Sequence, residues 1–320
     1  MKDFLTYNEQ IILLRSKKLV KSFEKRRAKR ILINENYYSL INGYKTPFLD
    51  ANNNYVQNAN FFELYALYKF DRELRNIIFK KILIIESKIK SILAHIFSKK
   101  YGNDYLNIEN YDVILKSDPQ YLKLTDKQKD KNNKKLGNVT ALINTLTKSI
   151  YDNYAKKDFL NHYLLKHHQV PLWVLVNILT LGNISKFFSA LKQPQKQQIA
   201  KDFNLTDNIL EDYIKVLTLF RNICAHEERC YCINFKDQIK NTSHHQRLNI
   251  PLNKSGDYIM GKKDFFALLI VLKELLPKKD FKTLKLKLDK NIVELEKELK
   301  SISINDIYLK MGFPTSWKQL

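Results

Sequence analysis

The sequence predicts an all-α protein, a helical bundle, and three observations carry the prediction. Seven glycines and seven prolines among 320 residues are too few for a fold that needs a turn residue at every hairpin. Apolar residues recur at three- and four-residue steps over long stretches, which is the period of a helix face. No run pairs convincingly as strands, although 44% of the residues are hydrophobic and supply ample core.

The elements follow in order. Thr6-Tyr7-Asn8-Glu9 reads as a capping box opening a first helix, with Ile11, Ile12, Leu14 and Leu19 as its apolar face. Arg15 to Arg30 holds nine basic residues (Arg15, Lys17, Lys18, Lys21, Lys25, Arg26, Arg27, Lys29 and Arg30) against one Glu24. This run is read as a basic, solvated helix face dense enough to meet a phosphate backbone. Asn36 to Pro47 closes the helix pair, and the polar stretch 50–60 is a loop. From about Asn60 to Lys100, Phe61, Leu64, Leu67, Tyr68, Leu74, Ile78, Ile82, Ile85, Ile89, Ile92 and Ile96 mark one long helix, a core spine of ~60 Å. Residues 116–138, polar and Lys-rich, are expected to form a mobile loop. Helix resumes over 139–155 and after Pro171, and Asn204-Leu205-Thr206-Asp207 caps a helix running into the 220s. Residues 229–258 read as irregular. Helices over about 262–276 and 280–300 and a short capped turn from Ser303 complete the chain. The expected organisation is a single interlocked domain over 1–320. It comprises an N-terminal helical pair (1–58), a core (60–228) interrupted by the loop at 116–138, and C-terminal helices (259–320).

Lys and Arg number 55 against 33 Asp and Glu, a formal net charge of +22. So large an excess attracts polyanions, nucleic acid first among them. Cys224, Cys230 and Cys232 are odd in number and crowded together, which fits no disulfide framework and points to a reducing cytoplasm. The N-terminus lacks the apolar run of a secretory signal. The most apolar stretches, 170–182 and 265–276, are shorter than the ~20 residues of a membrane span.

The chemistry is expected in Leu219-Phe220-Arg221-Asn222-Ile223-Cys224-Ala225-His226-Glu227-Glu228-Arg229. Neutral imidazole at His226 can take the proton of a ribose 2′-hydroxyl. The guanidinium of Arg221 can stabilise charge on a five-coordinate phosphorus, and Asn222 can hydrogen-bond the pair or the substrate. Positions five apart turn about 140° around a helix, so this spacing suits a helix end or a site where two motifs meet. Alone, R-x4-H is a weak signal, equally read as a helix-end Arg and His with no joint role. A zinc set from Cys224, His226, Cys230 and Cys232 is disfavoured, because C-x-H and C-x-C lack the loop that wraps a tetrahedral ion. His167-His168 and His244-His245 read as surface pairs. Asp71 and Glu86, ~22 Å apart along one helix, are too distant for a shared acid–base site and are expected to pair with Arg72, Arg75 or other cations. Tyr37, Tyr38 and Tyr44 lie beside the basic run and are candidates for stacking bases, and Arg229 for binding RNA.

Arg221-Asn222-Ile223-Cys224-Ala225-His226 resembles the RN-x-x-AH signature of HEPN (higher eukaryotes and prokaryotes nucleotide-binding) ribonucleases, specifically the Abi-like AbiD/AbiF group. The resemblance extends over nearly the whole chain. It takes in LTYNEQIILLRSKKL, NYYSLINGYKTPF and the long helix with Asp71, Arg72, Arg75 and Glu86. It also takes in PLWVLVNILTLGNISKFFSAL and the closing Met311-Gly312-Phe313-Pro314-x-x-Trp317. One departure is Asn177, where that group often carries Glu. The resemblance implies a HEPN-type helical bundle elaborated with N- and C-terminal helices, and a role in antiphage defence. It further implies a toxin-type, metal-independent endoribonuclease with no cofactor, restrained in the AbiF branch by a small structured noncoding RNA. A similar nuclease core occurs in RNA-guided CRISPR effectors with paired HEPN motifs, so a homodimer facing its motifs is a further expectation. The competing reading is a non-catalytic RNA-binding module that uses the motif to hold a noncoding RNA or a dimer partner.

Overall fold

Several helices begin where the sequence supplies capping side chains. In the computed structural model, which describes residues 3–320, Thr6 opens α1 (Tyr7–Ser16) with the expected capping box to Glu9. Thr125 opens α5 (Asp126–Asn153) by the same device with Gln128, and Ser303 opens α14 (Ile304–Met311) with Asp306. Between them lie α2 (Lys25–Asn34), α3 (Phe61–Tyr101), α4 (Pro119–Leu122), α6 (Asp158–His167), α7 (Leu172–Leu175), α8 (Leu181–Ala190) and α9 (Gln193–Lys201). α10 (Asp207–Ala225), α11 (Ser243–Arg247), α12 (Phe265–Leu275) and α13 (Lys278–Glu298) complete the set. The fold is all-α, 66% helical, and holds no strand among the described residues. No described helix is long and apolar enough to cross a membrane.

Two segments differ from their sequence reading. Residues 126–138 are the first turns of α5 and not a loop. Lys127, Lys131 and Lys134 face solvent, while Asn132 turns inward and bonds both the amide and the carbonyl of Ile114 (2.9 and 2.8 Å). A polar helix face and a loop share one composition, and the Thr125 cap distinguishes them. The basic run, likewise, is not one helix face. α1 stops at Ser16, Lys18 takes a left-handed φ of 59°, and α-helix resumes only at Lys25, after a 3-10 turn at Ser22–Glu24.

The chain forms two compact units, one joining the residues up to Lys81 to Asn222–Leu320, the other Ile82–Arg221. In the first unit α1 packs on α2 and α12 on α13. α12 is buried at every position from Phe265 to Leu272, and the Phe313 ring meets the rings of Phe265, Phe266, Tyr308 and Trp317. Gly312 is required there. Its φ is +72°, and a Cβ would fall 2.1 Å from the Asp264 carboxyl carbon, while that carboxylate caps α12 through the Ala267 amide (3.0 Å). Burial raises the Asp264 carboxyl to about 6. In the second unit α5 packs on α8, and Phe97, Tyr111 and Phe187 form a ring cluster. Of the apolar spine expected on α3, every member except the half-buried Ile92 is buried.

Candidate functional site

α10 buries Leu210, Ile214, Leu217 and Phe220 completely, positions repeating at helical spacing. That face leaves Arg221 half-buried and Asn222 exposed. The helix ends in a Schellman turn. His226 N donates to Asn222 O (2.9 Å) and Glu228 N to Ile223 O (3.0 Å), with Glu227 in the left-handed conformation at φ 56°, the position usually given to glycine. His226 is exposed at this end. In the second unit, Arg221 Nε faces Glu86 Oε2 at 3.9 Å, and Glu86 Oε1 takes an ion pair from Lys90 (2.7 Å).

The segment after His226 is clamped within the first unit by Asp71. This carboxylate, wholly buried, accepts from the amides of Cys230 (3.1 Å) and Tyr231 (2.8 Å), from Tyr44 Oη (2.7 Å) and from Arg75 Nη1 (2.8 Å). Arg75 Nη1 also donates to Glu228 O (3.2 Å). Burial raises the Asp71 carboxyl, against the pull of Tyr44, Arg75 and the two amides, and burial likewise raises the Cys230 thiol. Tyr44 stacks on Tyr231 at 5.9 Å and is buried. It is therefore a member of this clamp and not the base-stacking ring expected from sequence, since a half-polar ring satisfies its hydroxyl on Asp71.

In front of the clamp lies a cleft of about 850 Å³ in the first unit, with His226, Glu228 and Arg229 on its lining opposite Glu35, Tyr38 and Arg72. Arg72 forks onto Glu35 (Nη2–Oε2 2.6 Å, Nη1–Oε1 3.0 Å), and Tyr68 Oη donates to Glu35 Oε2 (2.8 Å). Burial works to raise the Glu35 carboxyl, but Arg72 and Tyr68 outweigh it and hold it below the usual carboxylate range. Arg229 Nη1 donates to Gly43 O (2.9 Å). Of the predicted RNA contacts, Arg229 and Tyr38 line this cleft, and Tyr37 is half-buried beside it in sequence. Arg15, Lys17, Lys18, Lys21, Lys25, Arg26, Arg27 and Arg30 are exposed and do not line it. Lys29 is half-buried and donates to Asn8 Oδ1 (2.8 Å). Glu35 had no sequence signal and Tyr68 only that of a spine residue, because their pairing arises only when the end of α2 meets α3. Asp71 pairs with Arg75 and Glu86 with Lys90 and Arg221, as the cation-pairing expectation has it.

The other histidine and cysteine readings have definite outcomes. His244 and His245 are buried, not a surface pair. His244 Nε2 meets Glu274 Oε1 (2.5 Å) and His245 Nε2 meets Gly261 O (2.9 Å), partners that let imidazole enter a core. Cys230 is buried while His226 is exposed, and among the described residues no three His, Cys, Asp or Glu side chains group to hold a metal ion.

Compared with known families, residues 30–232 match the model of the Abi-like proteins. The match begins inside the basic run and ends just past the motif helix. No curated protein and no solved structure matches the chain. A match over well more than half of the 320 residues decides the matter: the chain belongs to the Abi-like family, the proteins of abortive-infection defence.

Proposed function

We propose that this Abi-like protein is a HEPN-type endoribonuclease, a toxin that cuts RNA without a metal through Arg221 and His226. The observation that carries the reading is the Arg-Asn-x-x-Ala-His run at the end of α10, with an exposed His226 on the lining of a polar cleft that also holds Arg72 and Arg229. His226 takes the proton from the ribose 2′-oxygen, and that oxygen bonds to phosphorus. The bond from phosphorus to the 5′-oxygen then breaks, and the leaving oxygen takes a proton from water while His226 returns its proton to solvent. The products are a 2′,3′-cyclic phosphate and a 5′-hydroxyl. The Arg221 guanidinium stabilises the extra negative charge at phosphorus, and Asn222 holds the substrate by hydrogen bonding. A second copy presenting the same motif supplies the facing half of the site. A small structured RNA restrains the toxin, which suits a chain of net charge +22 better than a protein antitoxin that would have to be strongly acidic.

The test is cleavage of structured and unstructured RNA in EDTA, with the product ends mapped. Wild type cuts; His226→Ala loses about 10²–10⁴-fold in rate and Arg221→Ala about 10²–10³-fold, both with unchanged circular dichroism. Full cutting by both variants overturns the assignment. RNA that is held but never cut by wild type assigns the motif to RNA binding instead.

A further inference from the structure

A groove of about 800 Å³ runs through the second unit where α3 faces α7. Its α3 wall is two neighbouring rows at helical spacing, residues 87, 91 and 95 beside 90, 94 and 98. These put Lys90, Ser91, His95 and, one step on, Lys99 along the groove, over a floor of buried Ala94 and Val176. No lining residue is acidic. The opposite wall is Trp173 and Asn177. α7 explains why the indole stands there: Leu172 and Leu175 are buried in the core, and Trp173 between them is left 51% exposed.

We infer that this groove is the track for single-stranded RNA, with a base stacked on Trp173 and its phosphates along Lys90 and Lys99. The inference rests on the RNA reading above and gives it a substrate surface that the motif alone does not. Exposed aromatic surface beside lysines and hydroxyls is the combination that holds unpaired bases and their backbone together. A duplex offers no unstacked base to the indole, and an apolar peptide leaves the lysines unmatched. The groove also connects to Arg221 within its own unit. Lys90 pairs with Glu86, and Glu86 faces Arg221. From Ser87 to Lys99 the α3 wall is ~18 Å long, room for a short run of nucleotides.

The chain has two tryptophans, and Trp317, 3% exposed, is out of reach of a stacking base, so a quench of indole emission on binding reports on Trp173. The experiment titrates a short oligoadenylate into the full-length His226→Ala protein, where binding is read apart from cutting. Emission is quenched as RNA binds, and the quench persists in Trp317→Phe. With end-labelled RNA, Trp173→Leu binds about tenfold or more weakly. Lys99→Gln lowers the salt slope by about 0.7. Unmoved emission while labelled RNA is bound, or parental affinity in Trp173→Leu at an unchanged melting temperature, overturns the inference. Wild-type cleavage then still stands if RNA is cut; quenching without cleavage retains the groove and removes the nuclease.

Discussion

Asp71 is the residue on which the segment after the motif depends. Its four partners lie on α3 itself, in the turn at Tyr44 and in the backbone of Cys230 and Tyr231. Only the pairing with Arg75, four residues on, was open to a reading of the sequence, because helical spacing brings such positions together without any knowledge of the fold. Removing one member of a buried ion pair leaves the other uncompensated. Asp71→Ala, which strands Arg75 and two amides, is therefore expected to lower stability by about 3–5 kcal/mol in urea unfolding. A loss below about 1 kcal/mol would show that water replaces the carboxylate and that no clamp exists. Tyr44 belongs to the same lesson. Its position beside lysines suggested an RNA-facing ring, and its hydroxyl bond to a carboxylate 27 residues on placed it inside.

At the scale of elements, caps decided what composition could not. Thr125 and Gln128 convert a Lys-rich stretch into the start of α5, and Lys18 breaks a basic run that hydropathy reads as continuous. The join of α12 and α14 gives the sharpest case. Met311-Gly312-Phe313 lies beyond the matched residues 30–232, and the physical reason for its glycine is the Asp264 cap pressed against Gly312. Gly312→Ala adds a Cβ where backbone φ is +72° and where the capping carboxylate must move. The expected cost is about 2–4 kcal/mol, overpacking plus the weakened cap, read as a fall in melting temperature. A melting temperature equal to that of the wild type would mean that Asp264 can swing away without loss.

Over the whole molecule the excess of 22 positive charges is the property that favours a polyanionic partner. The exposed cations of the N-terminal run do not line the His226 cleft, so under the proposed RNase reading they would hold RNA outside that cleft. Replacing Lys17, Lys25, Arg26 and Arg30 with Gln removes up to four phosphate contacts. This is expected to flatten the slope of log affinity against log salt by about 3–4 for duplex RNA. If a structured RNA restrains the protein as proposed, wild type purifies from its host with one discrete RNA and the same variant loses it, seen by phenol extraction and gel. An unchanged slope moves the RNA surface off this run. A ragged mixture of RNA on wild type shows binding by charge alone, without a dedicated restraining RNA.

By itself the sequence determined the helical class, the apolar spine of α3, the caps at Thr6, Thr206 and Ser303, and the family. Each of these depends on residues a few positions apart, or on ordered blocks along the chain, and such information is written linearly. The tertiary structure alone decided that Asp71 holds Cys230 and Tyr231, that Arg72 and Tyr68 grip Glu35, and that His244 and His245 are core residues. It also decided that Trp173 faces lysines of α3. These pairings join residues tens to more than a hundred positions apart. Burial and hydrogen bonding set them once the helices pack, and no local pattern of residues encodes which distant partner a polar side chain will find.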